Sequence, residues 1–128
     1  MPFIDPDPNA LVGQVVGNGH CVALVRHEDG AFAPHTSRWR EGMKVVGALL
    51  EPGTAIATFQ QGRYGNHTDG RSHAAIFVGH ESNGIRVVDQ WQGHPAAPRL
   101  IANRHGNGPP VDDASRFAVI EPIEDDDA

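Results

Sequence analysis

Two apolar runs fix most of what this chain can fold into. The first is Ser72-His73-Ala74-Ala75-Ile76-Phe77-Val78-Gly79, the second Ile85-Arg86-Val87-Val88-Asp89-Gln90-Trp91, and between them lies the polar turn material His80-Glu81-Ser82-Asn83-Gly84. Strand-length β-branched and aromatic runs around such a spacer predict an antiparallel hairpin. The register matters because a one-residue slip turns every side chain to the other face. A two-residue Asn83-Gly84 turn is favoured locally, but it sets Phe77 opposite Gln90 and Ile76 opposite Trp91. A longer loop centred on Glu81 sets Phe77 opposite Ile85, Ala75 opposite Val87 and His73 opposite Asp89. The second register is the expectation, because it pairs apolar residues with each other.

The rest of the chain reads as short elements around this hairpin. Fifteen glycines and ten prolines in 128 residues argue for many turns and against a helical bundle. The length suits one domain, residues 1–128, with an extended proline-rich lead-in over 1–8 and an acidic, frayed tail over 122–128. Leu11, Val12, Val15 and Val16 are spaced for a short helix or turn. Thr36 or Ser37 is placed to cap a single turn carrying Trp39. Pro52-Gly53 leads into a strand over 54–59, and residues 60–71 form a loop. After Trp91, the prolines at 95 and 98 are expected to break the ladder, with a short strand resuming at 99–102 and a closing strand at 116–120.

A net charge of −6 with no run of Lys or Arg excludes nucleic acid and anionic membrane as general partners. No apolar run approaches the ~20 residues of a transmembrane helix. The N-terminal Met1-Pro2-Phe3-Ile4-Asp5-Pro6 lacks the basic and apolar regions of a secretory signal, so cytoplasmic synthesis is expected, with any export by a signal-independent route. A monomer is expected.

The single cysteine excludes an internal disulfide and any multi-cysteine zinc site. Cys21 follows Gly17-Asn18-Gly19-His20 and opens the apolar run 22–25, which reads as a helix ending near Asp29-Gly30. In a first helical turn the free N–H groups favour thiolate, the nucleophilic form. A nucleophile needs a base and a group to orient that base. In the expected register His73 and Asp89 stand together and supply both. The oxyanion of an acyl-transfer intermediate needs donors, for which the Cys21 N–H, Gln14 and His20 are candidates. Trp39, Tyr64 and Trp91 are candidate walls of a substrate cleft. A zinc site from His20, His73 and Asp89 is the alternative metal reading, and a binding module without catalysis is the alternative to an enzyme.

The order of these motifs resembles the papain-like NlpC and CHAP group of cysteine peptidases and amidases over about residues 10–101. The likeness rests on a cysteine opening a helix after a Gly/Asn loop, the Pro52-Gly53 turn into a strand, the His-Ala-Ala-Ile-Phe-Val-Gly run at 73–79 and the Asp-Gln-Trp at 89–91. It departs at Val22, where CHAP members often carry a small polar residue, and at Trp91, near where some have asparagine. The resemblance implies an α+β fold with a cysteine-bearing helix packed on a small antiparallel β-sheet. It also implies a Cys21-His73-Asp89 triad with no cofactor and no metal. The implied activity is cleavage of amide bonds in bacterial peptidoglycan peptides. Some members of the group are exported antibacterial effectors, which leaves room for a cognate inhibitor protein as partner.

Overall fold

The computed structural model describes residues 2–27, 31 and 33–123. One helix, α1 (Cys21–Arg26), precedes six strands: β1 (Trp39–Lys44), β2 (Ala55–Thr58), β3 (Ala74–Glu81), β4 (Gly84–Trp91), β5 (His94–Ala102) and β6 (Phe117–Pro122). They form one antiparallel sheet in the order β1-β6-β2-β3-β4-β5. The fold is therefore mostly sheet, with α1 packed on one face of its centre.

Both faces of the sheet are covered, which is why its central strands read as unbroken apolar runs and not as alternation. On one face Ala55, Ala57, Ile76 and Val88 pack against Leu24 and Val25 of α1, together with Leu11, Val16 and Trp39. On the other, Ile56, Ala75, Phe77, Val87 and Ile101 pack against Phe117 and Ala114. Leu11 and Val16 are buried as expected, but residues 8–14 turn without forming a helix, leaving Val15 exposed. The helix ends at Arg26 with His27 extended, short of the expected stop, and Asp29-Gly30 lies outside the described residues.

The hairpin takes neither expected register. Ser82 and Asn83 form the turn, so that Glu81 pairs with Gly84, His80 with Ile85 and Gly79 with Arg86; then the ladder shifts and Phe77 pairs with Val87 and Ile76 with Val88. Val78 is the extra residue of a β-bulge. Its effect is to change which alternate set of β3 shares a face with Asp89. Without it, Ala74 and Ile76 would lie on the side of Asp89. With it, the side of Asp89 belongs to Ala75 and Phe77, and the next alternate position is His73. The displacement from the expected register is two residues, so the predicted face survives while the partner changes. His73 is diagonal to Asp89, not opposite it, and long side chains reach across that diagonal.

Strand β5 is nine residues long and contains Pro95 and Pro98, correcting the expected break. It is an edge strand of the sheet with β4 as its ladder partner; on its outer side Ala96 accepts from the Gly13 N–H and donates to the Gln14 carbonyl, and the missing N–H of Pro98 on that side costs no ladder bond. Residues 39–44, not read as a strand from the sequence, form the opposite edge on β6. The lead-in is tied down: the Asp5 N–H donates to the Gly53 carbonyl at 2.8 Å and the Ala55 N–H to the Phe3 carbonyl at 2.9 Å. Pro122 ends β6 and so belongs to the sheet, not to the tail; residues 124–128 lie outside the described residues.

Gly53 sits at φ +99° with its Cα against the Asp5 backbone, so a side chain there meets both backbone strain and the Asp5 carbonyl. Gly53→Ala is expected to cost about 2 kcal/mol or more. That is about 7 °C or more in thermal midpoint for a domain of this size, measurable by circular dichroism.

Candidate active site

Cys21 opens α1 on one face of the sheet, and His73 immediately precedes β3 in the alternate set that belongs to the other. They meet at the end of the sheet. His73 is 5 % and Asp89 2 % exposed, so their interaction is shielded from water. The imidazole Nε2 lies 2.8 Å from Asp89 Oδ2. That leaves Nδ1 for the thiol, and Cys21 and His73 lie close enough for each to shift the other's proton affinity. The ring is wedged edge-on against Phe117 and Trp91, at centroid distances of 6.3 Å to each.

The electrostatics favour charge separation. Burial pushes the Cys21 thiol up, but the hydrogen bond and charge of His73, the Tyr64 hydroxyl and the Ala74 N–H together bring it below its ordinary value. Burial likewise opposes the imidazolium, yet the bonds to Asp89 and Cys21 and the charges of both raise His73 to about 9. Tyr64 Oη is 3.6 Å from the Cys21 sulfur. Burial, then the neighbouring Cys21, raise the phenol above its ordinary value, so it remains a donor to the sulfur. Thiolate and imidazolium are thus mutually stabilised, as in an activated cysteine nucleophile.

Asp89 is held in turn by Arg99 of β5, whose Nε donates to the same Oδ2 at 2.8 Å. The Arg99 guanidinium also lies 5.4 Å from the centre of the Trp91 ring, within cation–π range. Cys21 and His73 open into a cleft of about 410 Å³ walled by Tyr64, Asn66, Thr68, Trp91 and Arg99. Of the expected cleft walls, Tyr64 and Trp91 line it. Trp39 does not: it is buried behind Tyr64, ring centres 4.9 Å apart, with its indole N–H on the Pro34 carbonyl.

The oxyanion candidates separate in the same way. Cys21 and His20 border the cleft, whereas Gln14 does not: it is exposed, with its amide Nε2 on the Ala10 carbonyl. The zinc alternative finds no support, since among the described residues no three His, Cys, Asp or Glu side chains are placed to hold a metal ion.

Residues 4–120 match the family model described as Domesticated amidase effector 2. The chain belongs to this family. It is 43 % identical over 103 residues to a type VI secretion amidase effector 2 protein of Salmonella typhi, covering 78 % of this chain and 75 % of that one. A domesticated amidase effector 2 of Ixodes scapularis is 39 % identical over 122 residues, covering 90 % and 82 %. The solved structure of a type 6 secretion amidase effector 2 superposes with a TM-score of 0.86 at 32 % identity, covering 97 % of both chains.

In this amidase effector 2 relative, two site neighbours escaped the sequence reading. Arg99 lay in a segment read as a resumed strand, with nothing to connect it to Asp89 until β5 is seen to pair with β4 in full. Gln90 is 0 % exposed, a primary amide among apolar strand residues. That signal was visible: a buried amide must find backbone partners. Its Oε1 accepts from the Val16 N–H at 2.9 Å, and its Nε2 donates to the carbonyls of Val16 at 2.9 Å and His20 at 2.8 Å.

Proposed function

We propose that the protein is a papain-like cysteine amidase that cuts an amide bond in bacterial cell-wall peptides, with Cys21 as nucleophile, His73 as base and acid, and Asp89 as orienting group. The observation that carries the reading is the buried Cys21-His73-Asp89 chain opening into a cleft, in a fold shared with amidase effectors. The wider NlpC and CHAP likeness agrees with it.

In the proposed reaction the Cys21 thiolate attacks the amide carbonyl carbon. The developing oxyanion is met by the Cys21 N–H, with His20, which also lines the cleft, as the second candidate donor. As the C–N bond breaks, the His73 imidazolium gives its Nδ1 proton to the leaving amine. Neutral His73 then takes a proton from water as the hydroxide attacks the thioester, and breaking of the C–S bond releases the thiolate and a carboxylic acid that loses its remaining proton to solvent, leaving the thiolate–imidazolium pair restored. Asp89 holds the ring through Nε2 throughout and is itself held by Arg99. The type VI secretion names of the Salmonella typhi relative and of the solved structure support export of the protein by that route; peptidoglycan as substrate and an inhibitor protein guarding the producer complete the proposal.

Digestion of purified sacculi, with products identified by mass, tests the substrate. Fragments differing from the undigested wall peptides by one added water and carrying a new amine terminus are expected. Undigested sacculi from every wall chemistry tried would sink the wall assignment while leaving the cysteine chemistry standing.

The pH dependence follows from the two shifts. The reactive pair exists above the Cys21 pKa, which is lowered, and below that of His73, raised to about 9. Hydrolysis should rise through an acid limb at lower pH than an ordinary thiol gives and fall near pH 9. Iodoacetamide should label Cys21 at pH 7 faster than a free thiol. A labelling profile rising only around pH 9, as for an isolated thiol, would contradict the ion pair.

A further inference from the structure

Gln90 is the largest fully buried polar side chain that the chemistry above leaves unused. It projects from β4 on the face opposite Asp89 and grips the loop that precedes the nucleophile. Two of its three bonds close a ring with both backbone groups of Val16. The third falls on the carbonyl of His20, which also accepts from the Ala23 N–H at 3.1 Å. That carbonyl shares one planar peptide unit with the Cys21 N–H. The described chain has no cis peptide bonds, so carbonyl and N–H point in opposite directions across the unit. Holding the His20 carbonyl down onto Gln90 therefore aims the Cys21 N–H away from the sheet. Both residues of the unit line the cleft.

Resting on the proposed role of Cys21, we infer that Gln90 is a positioning residue that sets the plane of the His20–Cys21 peptide and so aims the oxyanion-stabilising N–H. Gly17 and Gly19, at φ +58° and +85°, make the loop that carries this unit. Within the loop the Asn18 Oδ1 accepts from the His20 N–H at 3.1 Å, and Gln90 holds the carbonyl at the other end of His20 from outside the loop. A buried amide able to accept and donate at once does this where an apolar residue of the same size cannot.

The role predicts a particular split. Alkylation by iodoacetamide is a displacement at carbon with no oxyanion, so it reports the thiolate and its ion pair alone. Amide hydrolysis needs the N–H as well. Gln90→Met, similar in length but without donors, should lower kcat on soluble muropeptides about 10²-fold at a KM within about twofold of the parent. The rate and pH profile of Cys21 alkylation should stay within about twofold. A merely structural role would move both readouts together, and parallel losses would overturn the assignment; so would a kcat within about threefold of the parent. Should the variant not fold, the parent carries the test through amide hydrogen exchange. The Val16 amide is expected to be protected, and the Cys21 amide to become protected only when a short peptide aldehyde adds to the thiol. A Cys21 amide unchanged by the adduct overturns the inference. Full activity of Cys21→Ala would instead remove the site reading beneath it.

Discussion

Cys21→Ala is expected to release no soluble fragments from purified sacculi at concentrations where the parent clears them, a loss of about 10⁴-fold or more. The thiol is the only one in the chain, so no other sulfur can substitute for it. Far-UV circular dichroism should be unchanged, because the helix it opens is anchored by Leu24 and Val25, which are 1 % and 0 % exposed. Parental clearance by this variant would refute the nucleophile. The same substitution addresses the non-catalytic alternative: a binding module would leave parent and variant alike, with fragments bound by both and cut by neither.

Asp89→Ala carries the second large effect, and its pH signature is the more telling. Removing the carboxylate deletes the bond that raises His73 and leaves Arg99 without its buried counter-charge. Both changes disfavour imidazolium. The alkaline limb should therefore move from about 9 toward the ordinary imidazole value of about 6.5. At pH 7 hydrolysis should fall about 10³-fold, through loss of the charged pair and of ring orientation. Asp89→Asn, which keeps an acceptor oxygen but no charge, should retain more activity than the alanine variant. An unshifted alkaline limb together with a rate within about threefold of the parent would remove Asp89 from the mechanism. Both measurements can be made by progress curves on muropeptides from pH 5 to 10.

How far the sequence could be read depended on whether a feature was local. The hairpin, the loop over 60–71, the strand after Gly53 and the association of His73 with Asp89 all follow from residues near one another in the chain. Strand β1 did not, because Arg40, Glu41, Gly42 and Lys44 have little strand preference and are ordered by pairing with β6, some eighty residues away. Pro95 and Pro98 misled for a related reason: proline forbids a central strand, and only the sheet order reveals β5 as an edge. Within the site, Trp39 was indistinguishable by residue type from Trp91. One is sealed behind Tyr64 and the other is 39 % exposed at the cleft, a difference that arises only when loop and sheet come together. Arg99 and Gln90 were hidden in the same way, since each acts on a residue brought to it by the fold.

The bulge at Val78 makes this hairpin unequal in its tolerance of insertions and deletions. Residues added between Ser82 and Asn83 lengthen a surface turn and leave the pairing of Phe77 with Val87 as it is. Loss of the one extra residue at Val78 closes the bulge, so that Phe77 moves into the turn-end register still opposite Val87 and His73 keeps its place, whereas one residue added within 74–77 carries His73 to the side away from Asp89, although neither residue has been altered. When amidase effector 2 sequences are aligned, a single inserted position in this stretch therefore matters more than a single gap. A relative with both residues intact but one position added between His73 and the bulge has kept the letters of the site and lost its geometry.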